Sequence, residues 1–446
     1  MERHLSDGRI LLKNGTVITL DPELGDLPGG DVLISEGRIE QVAPEIDAPD
    51  AEVVPADGML VIPGLIDTHL HMWQQPLRGL GAGQWGVDDY VAKVFPVRER
   101  YGPQDMYEST YMCATEALAN GTTTVLDFCH NVLTEEHAEG SLRAHRETGQ
   151  RVLFAYGMLG YEDRLEAERA SRLAQVSRIK EDLGSDPTSL VRLGMGLTTL
   201  TFASMEDLLV EVEHARGLGL PMTIHQNVPG EIVRLQKAGV LGPDLLPVHS
   251  NNATDGELQL LASCGCAISF TTEGEFGGGR PMSALHRADR AGVLPTLGVD
   301  VPSRVAVDMF GQLRITYNIM RSAEAAIERQ EGRWPLKRYE GSPFTTARRV
   351  LEYATVNGAK AIGLGDHLGT LTPGKQADIV LLRTGPFGVS VGDPAAHVVL
   401  QSNAGDVDSV LVAGRFRKRG GELVGVDTEK LPFMMRDLQR RVLNGS

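Results

Sequence analysis

Cysteine is scarce, with four residues (Cys113, Cys129, Cys264, Cys266) in a chain of 446. That is too few for a disulfide framework, and Cys264-Gly265-Cys266 lacks the two-residue spacer of a redox or zinc pair, so a reducing cytoplasm is the expected compartment. No apolar run of about 18 residues occurs, and the opening Met1-Glu2-Arg3-His4 carries charge where a secretory signal needs an apolar stretch. Membrane spanning and secretion are both disfavoured. Positive charge is also in deficit: 43 Lys+Arg stand against 59 Asp+Glu, a formal net charge of −16. Such a surface repels phosphate backbones and anionic lipid, which disfavours nucleic acid and membranes as partners and leaves a small-molecule substrate. No repeat with a period of about 20 to 50 residues is visible, so a solenoid is not expected.

What is present is a large globular protein. The length exceeds the roughly 250 to 300 residues at which one hydrophobic core stops growing, so a barrel-sized domain plus something smaller is expected. A hydrophobic share of 42% and a charged share of 23% remove disordered and fibrous classes. Residues 9–60 read as short strands, punctuated by Asn14-Gly15 and Glu36-Gly37 as turns, and 377–382 and 409–415 read as further strands. Both ends of the chain are therefore β, and they need to pair.

Between the ends, apolar runs alternate with helical segments. Candidate parallel strands cover 60–66, 122–128, 151–157, 191–197, 221–225, 245–249, 266–271 and 294–300, continuous apolar stretches of the kind that are covered on both faces. Helix starts are signalled by Ser204 with Asp207, by Thr254 with Glu257, and by Ser342-Pro343. Eight such units predict a (β/α)8 barrel over 61–365, with 1–60 and 366–446 forming a composite small β-sandwich. The first two strands are too far apart for a single crossover, so 73–101 is expected to form loop and helix over the barrel mouth.

In such a barrel the chemistry sits at the C-terminal ends of the strands. The first candidate strand leads into Asp67-Thr68-His69-Leu70-His71, where the alternation of an extended segment puts His69 and His71 on one side. The fifth ends at His225, the sixth at His249 and the eighth at Asp300. One histidine at a strand end is commonly a hydrogen-bonded structural residue. Four of the twelve histidines at such ends, two of them as His-X-His, point instead to a divalent metal site with an open position for water. His145, His214, His286, His367 and His397 lie in helices or peripheral segments and read as surface or packing residues, and Cys264 and Cys266 as small core residues.

The run Pro63-Gly64-Leu65-Ile66-Asp67-Thr68-His69-Leu70-His71, with Gly369-Thr370-Leu371-Thr372-Pro373-Gly374-Lys375-Gln376-Ala377-Asp378-Ile379-Val380 far downstream, resembles the amidohydrolase superfamily, in the branch of cytosine, S-adenosylhomocysteine and guanine deaminases and triazine chlorohydrolases. The resemblance covers nearly the whole chain. It implies a barrel with a small β-sandwich from both termini, and one divalent ion, zinc first with iron, manganese or cobalt as alternatives, held by His69, His71, His225 and Asp300. It implies that His249 hydrogen-bonds the attacking water or the substrate and that Asp300 takes the proton of that water. A homo-oligomer, dimer or tetramer, is the expected assembly.

Two departures bear on the reaction. The fourth candidate strand contains no Lys of the kind that bridges two metals in relatives, which favours one ion. Deaminases of the branch carry a Glu three residues after the fifth-strand His, where it protonates a ring nitrogen; here that position is Val228, with Glu231 three residues further on. A substitute acid has to come from another strand end: His130, beside Asp127 after the second strand, or Glu273 and Glu275 after the seventh. A solvated loop is the competing reading for the two glutamates, and a supporting position behind the site for His130. Trp73, Gln74, Arg78, Gln226, Glu275 and Ser303 are expected to line the substrate pocket, Trp73 offering a stacking face and Gln74 both donor and acceptor. Deamination of a nitrogen heterocycle or amidine-like molecule is the expected reaction. Hydrolysis of an amide C–N, C–S or C–halogen bond, which needs no ring protonation, is the first alternative, and a non-catalytic scaffold the second.

Overall fold

A computed structural model describes residues 8–83, 87–158, 162–333, 344–388 and 392–444. Eight parallel strands form the central sheet in sequence order: Leu65–Leu70, Thr122–Cys129, Arg151–Gly157, Val191–Gly196, Met222–Gln226, Leu245–His249, Ala267–Phe270 and Leu294–Leu297, called barrel strands one to eight below. Their residues are almost all buried, as the unbroken apolar runs require. The sheet closes where Leu70 pairs with Asp300: the Asp300 amide donates to the His69 carbonyl and the His71 amide to the Asp300 carbonyl, each at 2.8 Å. Closure of the barrel and assembly of the His69, His71 and Asp300 side chains are thus one event.

The second sheet has nine strands drawn from both ends of the chain. Its order runs Glu422–Leu423, Arg415–Arg419, Val407–Val412, Ile379–Arg383, Met59–Pro63, Ile10–Ile18, Asp26–Ser35, Arg38–Ala43, with Glu52–Pro55 also on Ile10–Ile18. The Glu36-Gly37 turn is present, both residues in left-handed backbone (φ 49° and 76°). Asn14-Gly15 is not a turn. Ile10–Ile18 is one strand with register shifts around Gly15, and the Asn14 amide donates to Asp31 Oδ1 at 2.9 Å. The irregularity lets Gly15 press against Val61, whose Cγ2 a Cβ would meet at 2.6 Å.

The apolar run at 60–66 is likewise two strands rather than one. Met59–Pro63 pairs antiparallel with Ile379–Arg383 in the terminal sheet, and the barrel begins at Leu65. Gly64 is the joint, because a Cβ there would come within 2.0 Å of Thr123 Oγ1. Strand eight stops at Leu297, short of the expected 300, since Gly298 crosses against the backbone of His69, with its amide and carbonyl at 2.8 and 2.7 Å from a Cβ.

Segment 73–101 forms, among its described residues, part of a 3-10 helix Met72–Leu77 and an α-helix Val87–Arg98. The capping boxes at Ser204 and Thr254 are formed. The Ser342-Pro343 helix start lies outside the described residues; the next helix, Ala347–Tyr353, is capped by Thr346. Glu273 and Glu275 lie not in a solvated loop but in a short helix, Thr272–Gly277. No helix among the described residues is long and apolar enough to cross a membrane.

One buried ion pair ties the two sheets together. Arg151 Nε and Nη2 donate to Asp378 Oδ2 and Oδ1 at 2.8 and 3.0 Å, both side chains almost wholly buried. Asp378 also accepts from the Ala413 amide, so its carboxylate anchors the terminal sheet to the base of barrel strand three. Removing one partner leaves a buried charge alone, so Asp378→Ala or Arg151→Met should cost about 3 to 5 kcal/mol in denaturant unfolding. A double variant that costs as much as the two single variants together would show that the pair is not coupled.

Candidate active site

Four donors converge above the C-terminal ends of the strands. His69, His71, His225 and Asp300 each offer one ligand atom, and these atoms all lie within 4.8 Å of one another. His69 Nε2 and His71 Nε2 stand 3.2 and 3.3 Å from Asp300 Oδ1, and His225 Nε2 stands 3.3 Å from His71 Nε2. Two of the donors are fixed by bonds to neighbouring strands. His71 Nδ1 donates to the Phe128 carbonyl at 2.7 Å, which leaves Nε2 as the lone-pair nitrogen facing the cluster. Asp300 occupies left-handed backbone (φ 73°), a conformation that its two exchanged hydrogen bonds with strand one hold in place.

The electrostatics suit a cation. Burial pushes His69 down to about 3 and His225 well below the usual imidazole range, so both are neutral bases near pH 7. Burial raises the Asp300 carboxyl, but the His69 and His71 contacts overcome it and hold Asp300 well below the usual range, hence ionised. Both ring nitrogens of His69 are buried without a hydrogen-bond partner. Such orphaned nitrogens, with two imidazole nitrogens 3.3 Å apart and a carboxylate beside them, are what a divalent transition metal satisfies.

His71, His225 and Asp300 form the floor of a cavity of about 350 Å³, and His69 is wholly buried. Tyr90, Val91 and Phe95 from the helix over the mouth, with Phe202 and Val228, give it apolar walls; His130, Thr199, Asn227, His249, Glu275, Arg280 and Arg304 give it polar ones. His249, also in left-handed backbone (φ 74°), presents Nδ1 to Glu275 Oε1 at 2.9 Å, and Glu275 Oε2 accepts from Asn251 Nδ2 at 3.1 Å. A carboxylate can only accept, so Nδ1 carries the proton and Nε2 is left for the cavity.

Of the residues expected around the site, the structure brings His130, His249 and Glu275 to the cavity wall with the four donors, and turns others away. Glu273 faces the helix Met309–Gln330, its carboxylate 3.4 Å from Gln312 Nε2. Arg78 is exposed and paired with Glu116, because the 3-10 turn ends before it and swings it outward. Trp73 is wholly buried behind His130, its indole nitrogen 3.4 Å from Nδ1, so its face is not offered to a ligand. Gln74 and Ser303 form an internal chain: Ser303 Oγ donates to Gln74 Oε1 at 2.8 Å, and Gln74 Nε2 donates to the Tyr90 hydroxyl, which lies 3.3 Å from His130 Nε2. They fix Tyr90 rather than line the cavity. Gln226 is buried and donates to the Val228 carbonyl at 2.7 Å, and Glu231 accepts from Gln226 and the Val228 amide, each at 3.3 Å. His145, read as surface or packing, is fully buried and 3.0 Å from Asp127.

Missed from the sequence were Tyr90, Phe95, Thr199, Asn227, Arg280 and Arg304. Thr199 and Asn227 lie within three residues of a strand end and Arg304 four residues beyond Asp300, a signal that could have found them; Tyr90 and Phe95 lie in the segment expected over the barrel mouth, which singled out neither.

Comparison with known proteins gives the same frame. Residues 60–417 match the model of the amidohydrolase family. A 5'-deoxyadenosine deaminase of Methanothermobacter thermautotrophicus is 27% identical over 92% of this chain and 95% of its own. A 5-methylthioadenosine/S-adenosylhomocysteine deaminase of Pyrococcus furiosus is 27% identical over 95% and 98%. Among solved structures, an adenosine deaminase from Xanthomonas campestris with bound zinc superposes with a TM-score of 0.83 at 20% identity, covering 98% of both chains. The zinc complex of an atrazine chlorohydrolase from Arthrobacter aurescens TC1 superposes with a TM-score of 0.80 at 20% identity, over 96% of this chain and all of that one. With its closed barrel, its two-ended second sheet and histidines and an aspartate gathered at the strand ends, the chain belongs to the amidohydrolase family.

Proposed function

We propose that this chain is a hydrolytic deaminase of a planar nitrogen heterocycle, using one divalent ion, zinc first, held by His69, His71, His225 and Asp300. The observation that carries the reading is the four-donor cluster at the floor of a cavity whose walls include Tyr90 and Phe95, a shape suited to a flat ring. The deaminases of 5'-deoxyadenosine and 5-methylthioadenosine among its relatives make an aminated purine the first ring to try. A bound divalent ion would lower the pKa of a water molecule to about 7, supplying a nucleophile at neutral pH.

The chain's own groups do the rest. Asp300 is more open to the cavity than His69 or His71, with 17% of its side chain exposed against 0% and 2%, which suits it to take the proton of the attacking water and pass it to the departing ammonia. His249, its Nδ1–H held by Glu275, turns Nε2 to the cavity, where as an imidazolium it would give a proton to the ring nitrogen on water attack and recover one from the new hydroxyl as ammonia leaves. In this reading the His249–Glu275 pair takes over ring protonation from the Glu that Val228 replaces.

Ammonia release from a panel of aminated purines, pyrimidines and triazines tests the reaction. Glu275→Gln should lower kcat by roughly 10² to 10⁴-fold, the usual contribution of a positioned acid, with metal content unchanged. Glu273→Gln should stay within about tenfold of the unaltered protein, because its carboxylate lies against Gln312. Equal effects of the two substitutions would remove Glu275 from the role.

Val228 itself favours a second reading. It lines the cavity at 44% exposure where a deaminase of this branch carries Glu, so hydrolysis of a bond that needs no ring protonation suits the same floor. Release of halide, thiol or carboxylic acid without ammonia identifies that reaction.

A further inference from the structure

Two guanidiniums share the cavity, against the sign of a chain whose net charge is −16. Arg280 follows the turn Gly277-Gly278-Gly279, and Arg304 lies four residues beyond Asp300. One turn serves both. A Cβ at Gly278 would come 2.9 Å from Arg304 Nη1, so the glycine leaves room for the guanidinium to lie against the backbone that leads into Arg280. Arg280 Nη1 donates to Asn227 Oδ1 at 2.5 Å and lies 3.5 Å from Asn251 Oδ1, both neutral acceptors. Of the cavity's two acids, Glu275 is held by His249 and Asn251, and Asp300, held by His69 and His71, lies within electrostatic reach of Arg304. Burial pulls Arg304 down, Asp300 pulls it up, and the charge of Arg280 pulls it down again, so the two cations feel one another. Like charges gathered at one cavity are relieved when an opposite charge joins them.

We propose that Arg280 and Arg304 form an anion subsite, and that the substrate carries a carboxylate or phosphate group in addition to its reacting ring. The inference rests on the proposed deamination, since it takes this cavity as the place where substrate binds. Guanidinium recognises both oxyanions through paired N–H groups, so the two sources share one chemistry and differ in the ligand that reads them.

Titration calorimetry of the metal-loaded protein with adenosine, adenosine 5'-carboxylate and AMP offers one ring in neutral, carboxylate and phosphate form. At least one anion should bind roughly ten- to a hundredfold more tightly than adenosine, the size of a hydrogen bond to a charged group. The better anion identifies the source. That advantage should fall by about tenfold in Arg280→Met and in Arg304→Met, survive largely in Arg280→Lys and Arg304→Lys, and shrink at about 0.5 M salt. The lysine variants read the charge even if a methionine variant fails to fold. Equal binding of all three compounds, no binding of either anion, or an advantage that persists in both methionine variants overturns the subsite. Ammonia release from the same compounds reads the reaction separately: anion preference without ammonia keeps the subsite and removes the deamination, and ammonia without anion preference does the reverse.

Discussion

Asp300→Asn is expected to leave the barrel folded and to lower kcat by roughly 10² to 10⁴-fold or more, the loss that follows when a positioned base cannot take a proton. Asparagine is the appropriate probe because Asp300 sits at φ 73°, and Asn tolerates left-handed backbone better than other uncharged replacements. Its amide and carbonyl bonds to His69 and His71 belong to the main chain, so the seam of the barrel is untouched. Elemental analysis must accompany the kinetics, since the substitution also weakens one donor of the cluster. Near-normal turnover with full metal content would remove Asp300 from proton transfer.

His69→Ala and His71→Ala are expected to reduce divalent-metal affinity by more than the 10- to 100-fold that loss of a mere supporting hydrogen bond costs, and to abolish turnover. The fold should survive, because His69 and His71 close the barrel through main-chain atoms while the strands are held by apolar burial. Metal retention by dialysis, read beside the circular dichroism of the same sample, separates the outcomes. Collapse of the fold in both variants would make the ion structural rather than catalytic. Normal retention in either would remove that histidine from the donor set.

The donor set was legible because its chemistry interrupts hydrophobic strands. A histidine or aspartate at the end of a buried apolar run has few reasons to be there, and the spacing of His69 and His71 follows the strand period directly. The strand joint at Gly64 was not legible, since 59–66 is a nearly continuous apolar run and only the close approach of Thr123 divides it. Proximity in sequence misled at 73–78, where a 3-10 helix buries Trp73, turns Gln74 towards Tyr90 and sends Arg78 to the surface. Glu273 and Glu275, two residues apart, were equivalent while read as a loop; in a helix they point to different sides, and only Glu275 reaches His249. The aromatic wall comes from Val87–Arg98, a helix between the first two barrel strands whose Tyr90 and Phe95 stand at no strand end.

The antiparallel pairing of Met59–Pro63 with Ile379–Arg383 sets an order of events during synthesis. The strand leading to His69 and His71 continues from Met59–Pro63 through a single glycine, and Met59–Pro63 gains this partner only when a segment about 300 residues downstream has been made. At about 5 to 20 residues per second on the ribosome, that interval is on the order of 15 to 60 s, during which an apolar strand has no settled neighbour on that side. The barrel seam at Asp300 can therefore close before the terminal sheet is complete, and the pairing of Met59–Pro63 is settled last. Truncation ahead of residue 379 removes the strand partner of Met59–Pro63, one glycine away from the barrel strand that leads to the two histidines.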